Sequence, residues 1–335
     1  MLYPKMINTC IAFALGIVTS VSHADIAKQA DVQAFIQEMA SKHQLSTEEL
    51  NQVFAKTQIQ QSIIDAMDRP AEKKPWYVYR PIFVTEKRAK AGANFWKKHA
   101  ATLAKASAQY GVPAEIIVSL IGVETFYGQI TGNYSVMDAL STLTFSYPRR
   151  APFFRKELEN FLLLSREQNW DPNNVKGSYA GAMGYGQFMP SSYRAYAVDY
   201  NGTTFSAEGY RDLFKNPDDA IGSVANYLAE NGWKADQSII VIPATYQKNT
   251  DLASLANADL KTTQSLDAWA KQNIRSDAAL PGNMQANLVL LDNQYSQEVW
   301  LGLHNFYIIT KYNRSPLYAM AVYQLSGMIK KYHQE

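Results

Sequence analysis

Over residues 86–232 apolar side chains recur at three- and four-residue intervals, and this helical period confines most of the chain to packed helices. Upstream, Val32, Phe35, Ile36 and Met39 form one helical stripe, and Ser46 followed by Glu49 has the spacing of a capped helix start. Pro70, Pro75 and Pro81 interrupt the pattern. The segment around them is therefore expected to be an extended connector that lays Trp76, Tyr77 and Tyr79 across a neighbouring surface. After Trp233 the texture changes: residues 238–242 and 287–291 are short apolar runs rich in β-branched side chains and bounded by turn formers. The chain closes with an apolar run over 304–309 and a helical pattern over 316–331, expected to pack back on the main body. The fold class is mainly α, an α+β chain. It divides into a helical segment and connector at 25–85, a helical core at 86–236, a small α/β insertion at 237–300 and a closing segment at 301–335. No internal repeat or low-complexity tract is present.

The first residues read differently. Lys5 precedes an apolar run over 11–21, and Ser22 and Ala24 have the spacing of a signal-peptidase site, so residues 1–24 are expected to be an export leader cut after Ala24. Cys10 precedes the apolar run instead of ending it, which is not the arrangement of a lipid anchor. With the leader gone the chain would hold no cysteine, which excludes thiol nucleophiles and cysteine metal sites. Only Lys5 leaves the charge count, giving 31 basic against 30 acidic residues and no global attraction to nucleic acid. No segment offers the roughly 20 uninterrupted apolar residues of a membrane span. A soluble, periplasmic monomer is the expectation.

One carboxylate in the helical region lies on an apolar face. Pro113 suits a first helical turn and Gly128 suits a stop. Between them Ile117, Leu120 and Ile121 make the buried stripe, and Glu124 follows by three and four residues, on the same face. Burial disfavours the ionised form. Glu124 is thus expected to have a raised pKa and to stay protonated near neutral pH, as a general acid for glycosidic cleavage must. A core ion pair with Arg149 or Arg150 fits the same placement, and helix position alone does not choose.

Residues 176–190 add Gly177, Gly181, Gly184 and Gly186, which permit close approach of backbone to a ligand or to a neighbouring helix. The segment lacks the G-K-[ST] ending of a phosphate loop and the glycine order of a dinucleotide fold. Ser178, Tyr179, Tyr185 and Gln187 would offer hydroxyl and amide groups suited to sugars. The 21 Tyr and six Trp supply flat faces on which sugar rings stack, although such residues also fill cores.

Five stretches together carry a family resemblance. They are Gly122-Val-Glu-Thr-Phe-Tyr-Gly128, Tyr147-Pro-Arg-Arg150, the run from Gly177 to Tyr193, the run from Asp219 to Tyr227, and Tyr312-Asn313. They resemble the lytic murein transglycosylase B family, over a range from about Trp76 to the closing helix. The resemblance implies a lysozyme-like helical fold. It also implies cleavage, without water, of the bond between N-acetylmuramic acid and N-acetylglucosamine in peptidoglycan glycan strands. Carried over residue by residue, it implies that Glu124 is catalytic. It further implies that Tyr79, Arg149, Arg150, Ser178, Gln187, Tyr227, Tyr312, Asn313 and Tyr318 line the glycan cleft.

The chemistry agrees with the residue types. A glycosidase with an enzyme nucleophile needs a second carboxylate near the first, and the motifs around Glu124 supply none. A single carboxyl group can protonate the leaving oxygen while the sugar's acetamido group supports the anomeric carbon. The same group can then take the proton of the sugar's own 6-hydroxyl, closing a 1,6-anhydro ring. No cofactor and no metal is expected. The family's calcium loop would fall at Asp199, but Thr203 and Thr204 replace an acid and a glycine, and Tyr210 stands where a bidentate acid belongs. The five His are scattered and no G-x-S-x-G elbow occurs, which disfavours metal and serine hydrolases. A muramidase-type hydrolase and a non-catalytic scaffold that keeps the cleft remain as alternatives.

Overall fold

The computed structural model describes residues 26–69, 74–200, 210–256 and 264–335. The expected leader, and most of the loop that begins at Asp199, lie outside the described residues. The chain opens with α1 (Ala30–His43), α2 (Thr47–Ala55) and α3 (Gln61–Met67). Val32, Phe35, Ile36 and Met39 are all fully buried, and Ser46 accepts the Glu49 N–H as the cap of α2. This preface belongs to the main core. The Phe35, Phe54 and Phe145 rings meet edge to face at 6.1–6.3 Å, and Gln60 bonds to Asp138 and Thr142.

The extended connector is corrected by the structure, in which residues 76–83 form a helix, α4 (Trp76–Phe83). Pro75 occupies the cap, where its missing N–H costs nothing, and Pro81 lies inside the helix near its end, where it removes one i→i−4 donor. Trp76, Tyr79 and Phe83 share one face: Trp76 and Tyr79 are buried with rings 6.3 Å apart, and Phe83 lies 5.1 Å from Tyr79. Tyr77 points outward and is 45% exposed.

The body continues with α5 (Glu86–Lys98), α6 (Ala100–Tyr110) and α7 (Ala114–Thr125). The two-residue strand β1 (Tyr134–Ser135) and α8 (Val136–Phe145) follow, then α9 (Ala151–Glu167), β2 (Lys176–Gly177), α10 (Pro190–Tyr196) and α11 (Pro217–Glu230). Almost every residue of α7 is buried, so it runs through the core as an internal helix. Beyond the insertion come α14 (His304–Tyr312) and α15 (Pro316–Gln334); α15 packs on α4, α5, α7 and α14 and so fastens the chain's end to its centre. Ser119 inside α7 donates to the Val322 carbonyl of α15 at 2.6 Å, satisfying a hydroxyl that would otherwise be stranded.

Between these parts lie β3 (Val241–Tyr246), α12 (Leu252–Leu255), β4 (Gln264–Ser265), α13 (Leu266–Lys271), β5 (Ile274–Arg275), β6 (Gln285–Asp292) and β7 (Gln297–Gly302). The strands form an antiparallel sheet in the order β4-β6-β7-β3-β5. Alternation along the strands gives the sheet two buried faces. Val241, Val289 and Leu291 join the main core, whereas Ile242, Leu288, Val299 and Leu301 pack on Trp269 and Ile274 in a core of their own. Among the described residues no single helix is long and apolar enough to cross a membrane.

Candidate active site

Glu124 sits in the last turn of α7, where the helix ends in a chain of left-handed residues: Phe126 (φ 51°), Tyr127 (φ 61°) and Gly128 (φ 84°). Two non-glycine residues in that region cost energy, and the surroundings hold them there. The Tyr127 hydroxyl donates to the Arg88 carbonyl at 2.9 Å, and Gly92 and Gly122 leave the space that its ring tip fills. Thr125 accepts the Gly128 N–H at 2.9 Å and donates to the Tyr185 carbonyl at 2.8 Å. The residue next to Glu124 therefore ties its helix to the glycine-rich segment.

That segment is a folded wall. It begins as β2, paired with β1, and Ser178 closes a small loop by accepting the Ala180 and Ala182 N–H groups. Met183 and Phe188 exchange backbone bonds at 2.9 Å. Gly184 (φ 69°) lies against the Leu213 carbonyl, where a Cβ would come within 2.4 Å, so tight packing accounts for this glycine. Both amide hydrogens of Gln187 are spent on the Thr131 and Gly184 carbonyls, which leaves its oxygen as the group it can offer a ligand.

Wall and helix enclose a cleft of about 1040 Å³. The half-buried Glu124 is in its lining. The Tyr318 hydroxyl donates to Glu124 Oε1 at 2.5 Å. Tyr312 stacks parallel to Tyr318 at 6.5 Å and meets Tyr227 edge-on at 4.7 Å. The Tyr312 and Tyr227 hydroxyls donate to the Gly186 and Lys311 carbonyls. Burial pushes the Tyr312 and Tyr318 phenols well above their ordinary range, and the charge of Glu124 adds to it. Burial takes Tyr227 up to about 12. All three remain neutral hydroxyls throughout the pH range in which a carboxyl group works.

Of the residues carried over from the resemblance, Tyr79, Arg150, Ser178, Gln187, Tyr227, Tyr312, Asn313 and Tyr318 line this cleft with Glu124. Arg149 does not. It is 71% exposed and pairs with Asp68 at 3.5 Å, while Arg150, also exposed, lies over the Phe153 and Phe154 rings at 4.7 and 5.2 Å on the cleft side. Neighbours in the 3₁₀ turn Pro148–Arg150 point in different directions, so adjacent motif positions do not share a face.

The cleft lining also holds a second carboxylate, outside the motifs that carry the resemblance. Glu157 on α9 is 4% exposed and accepts the Ser191 N–H at 2.9 Å and the Ser191 hydroxyl at 2.7 Å, one bond on each oxygen. It thus caps the first turn of α10. Its sequence signal matched that of Glu124, an acid three residues after buried Phe154 on an apolar stripe, but no motif drew attention to it.

A family model described as the transglycosylase SLT domain matches residues 27–327. The membrane-bound lytic murein transglycosylase B of Escherichia coli (strain K12) is 42% identical over 316 residues, which cover 91% of this chain and 84% of that protein. This chain belongs to the lytic murein transglycosylase family. It is an enzyme, a peptidoglycan lytic transglycosylase, with the lysozyme-like fold of that family. Solved structures agree. The catenated lytic transglycosylase SltB1 of Pseudomonas aeruginosa superposes with a TM-score of 0.85 at 48% identity, covering 92% of this chain and 99% of that one. SltB3 of the same organism, solved in complex with NAG-anhNAM-pentapeptide, superposes at 0.76 with 30% identity, covering 90% of this chain and 79% of that one. Glu157 lies outside the motifs that carry the resemblance, and of the residues that the resemblance names Arg149 alone stands outside the cleft lining.

Proposed function

We propose that Glu124 is the single acid and base of a water-free cleavage of peptidoglycan glycan strands, between N-acetylmuramic acid and N-acetylglucosamine. The protonated carboxyl group gives its proton to the glycosidic oxygen as the bond from that oxygen to the muramic anomeric carbon breaks. The oxygen of the same sugar's acetamido group bonds to the anomeric carbon and carries the positive charge. The 6-hydroxyl oxygen then attacks that carbon, the acetamido bond opens, and Glu124 takes the hydroxyl proton back. Atoms balance without water, and the muramic acid ends as a 1,6-anhydro ring.

One observation carries this reading: among the described residues two carboxylates line the cleft, and the environment of only one suits proton transfer. Both oxygens of Glu157 are engaged by Ser191, whereas Glu124 receives a neutral phenol on Oε1 at the end of a buried helix. Ser178, Gln187, Tyr79, Tyr227, Tyr312, Asn313 and Arg150 form the walls that hold the glycan and keep water from the anomeric carbon. The chemistry needs no metal and no cofactor, since the substrate supplies the nucleophile and the support for the cation. A periplasmic enzyme, exported by the leader over 1–24 and acting as a monomer on a single strand, fits this substrate.

The test is Glu124→Gln, which keeps size and hydrogen bonding but cannot exchange the proton. The variant should fold, bind glycan strands with wild-type affinity and lose cleavage. Retained turnover would remove Glu124 from the chemistry.

A further inference from the structure

Beside Asn313 the cleft is lined by a cation that the cleavage chemistry does not use. Arg314 lies between α14 and α15, in a tight turn closed by the Ser315 N–H on the Asn313 carbonyl at 2.7 Å. A bond spanning two residues makes Arg314 the central residue of a γ-turn, so its side chain projects away from the ring of the turn. Both flanks are fixed. The Tyr312 hydroxyl is bonded to the Gly186 carbonyl, and Ser315 accepts the Tyr318 N–H as the cap of α15. The backbone presents the guanidinium from a set place, and only the side chain's own rotors move it.

Arg314 is exposed and forms no ion pair or hydrogen bond among the described residues. Its charge is nonetheless felt at the Tyr227 phenol inside the cleft. Lys311 nearby is tied to the Asn231 carbonyl at 3.0 Å, and the acid Glu157 is held by Ser191. A guanidinium left uncompensated on a glycan cleft fits an anionic substituent better than a neutral ring, because its planar fork matches a carboxylate. In the strand proposed above, glucosamine residues are neutral. The muramic acid bears a lactyl arm, which ends in a carboxylate when bare and continues into an acidic peptide when substituted.

We infer that Arg314 binds a carboxylate carried on the lactyl arm of muramic acid, and so sets which of the two alternating sugars stands over Glu124. This rests on the glycan-cleaving reading of the cleft. An alternating polymer offers two kinds of glycosidic bond, and only a group that separates muramic acid from glucosamine can choose between them.

The test compares wild type, Arg314→Gln and Arg314→Lys as full chains on three ligands: strands bearing peptide stems, strands stripped to the bare lactyl carboxylate, and a neutral N-acetylglucosamine tetramer. Arg314→Gln should raise KM about two- to fivefold on an acidic strand, the size of an exposed ion pair, with kcat held and affinity for the neutral tetramer unchanged. Arg314→Lys should lie between, and added salt should erase the difference. A loss confined to stem-bearing strands assigns the carboxylate to the peptide; a loss on stripped strands as well assigns it to the arm. Equal weakening toward the neutral tetramer, or an unchanged KM on both acidic strands, overturns the inference. If wild type cleaves neither strand, the underlying reading of the cleft fails instead.

Discussion

Glu124 ends α7 and meets a phenol, whereas Glu157 lies midway along α9 and meets the first turn of another helix. Both are acids on apolar stripes, and both line the same cleft. The difference lies in their partners. A carboxylate whose two oxygens accept a backbone N–H and a hydroxyl at a helix N-terminus is tied into the packing of that helix. One placed where its helix unwinds, against neutral hydroxyls, can change protonation without undoing the fold around it. The contrast shows why an acid in a cleft is not yet a catalytic acid.

The sharpest way to break this comparison is to change the two acids in parallel. Glu124→Gln should lower the cleavage rate by about 10² to 10⁴, the usual worth of acid and base assistance, whereas Glu157→Gln should lose less than about tenfold. Equal losses measured on the same glycan strands would end the distinction. Tyr318→Phe comes next. Without its bond to Oε1 the carboxyl group loses its orientation, and kcat should fall on the order of tenfold to a hundredfold with little change in KM.

Glu157→Ala should show its effect in stability. Stranding the Ser191 N–H and hydroxyl should cost about 1–3 kcal/mol in denaturant unfolding, and a thermal transition equal to wild type would show that the cap carries no weight. The smallest effect concerns the two neighbouring arginines. Arg150→Ala should weaken strand binding several-fold, about 1 kcal/mol, while Arg149→Ala, exposed and paired with Asp68, should change it by less. A reversal of that order in a binding titration would place Arg149 in the cleft after all.

Much of this was legible in the chain. Glu124 stood out because its place on an apolar stripe coincides with a motif of the family, the run over 287–291 lies within β6, and the run over 238–242 enters β3 only at Val241 and Ile242. Other features depended on three dimensions. The prolines of residues 75–81 hid the Trp76, Tyr79 and Phe83 face of α4, since proline is read as a breaker although Pro75 stands at the cap and the buried face outweighs the one donor lost at Pro81. Glu157 carried the same pattern as Glu124, but the partner that settles its role, Ser191, is 34 residues away. Arg149 and Arg150 are adjacent in sequence and separated only by the turn that points them apart. The sheet order β4-β6-β7-β3-β5 likewise comes from long-range pairing that no local run encodes.

The measurement that tests the central claim most directly is digestion of glycan strands by the wild-type enzyme in ¹⁸O-labelled water, with mass analysis of the released muropeptides. If Glu124 alone handles the proton and the sugar's 6-hydroxyl is the nucleophile, the products end in 1,6-anhydromuramic acid, one water lighter than a reducing sugar and free of label. Reducing muramic acid carrying ¹⁸O at its anomeric carbon would mean that water attacks, and the account would be wrong.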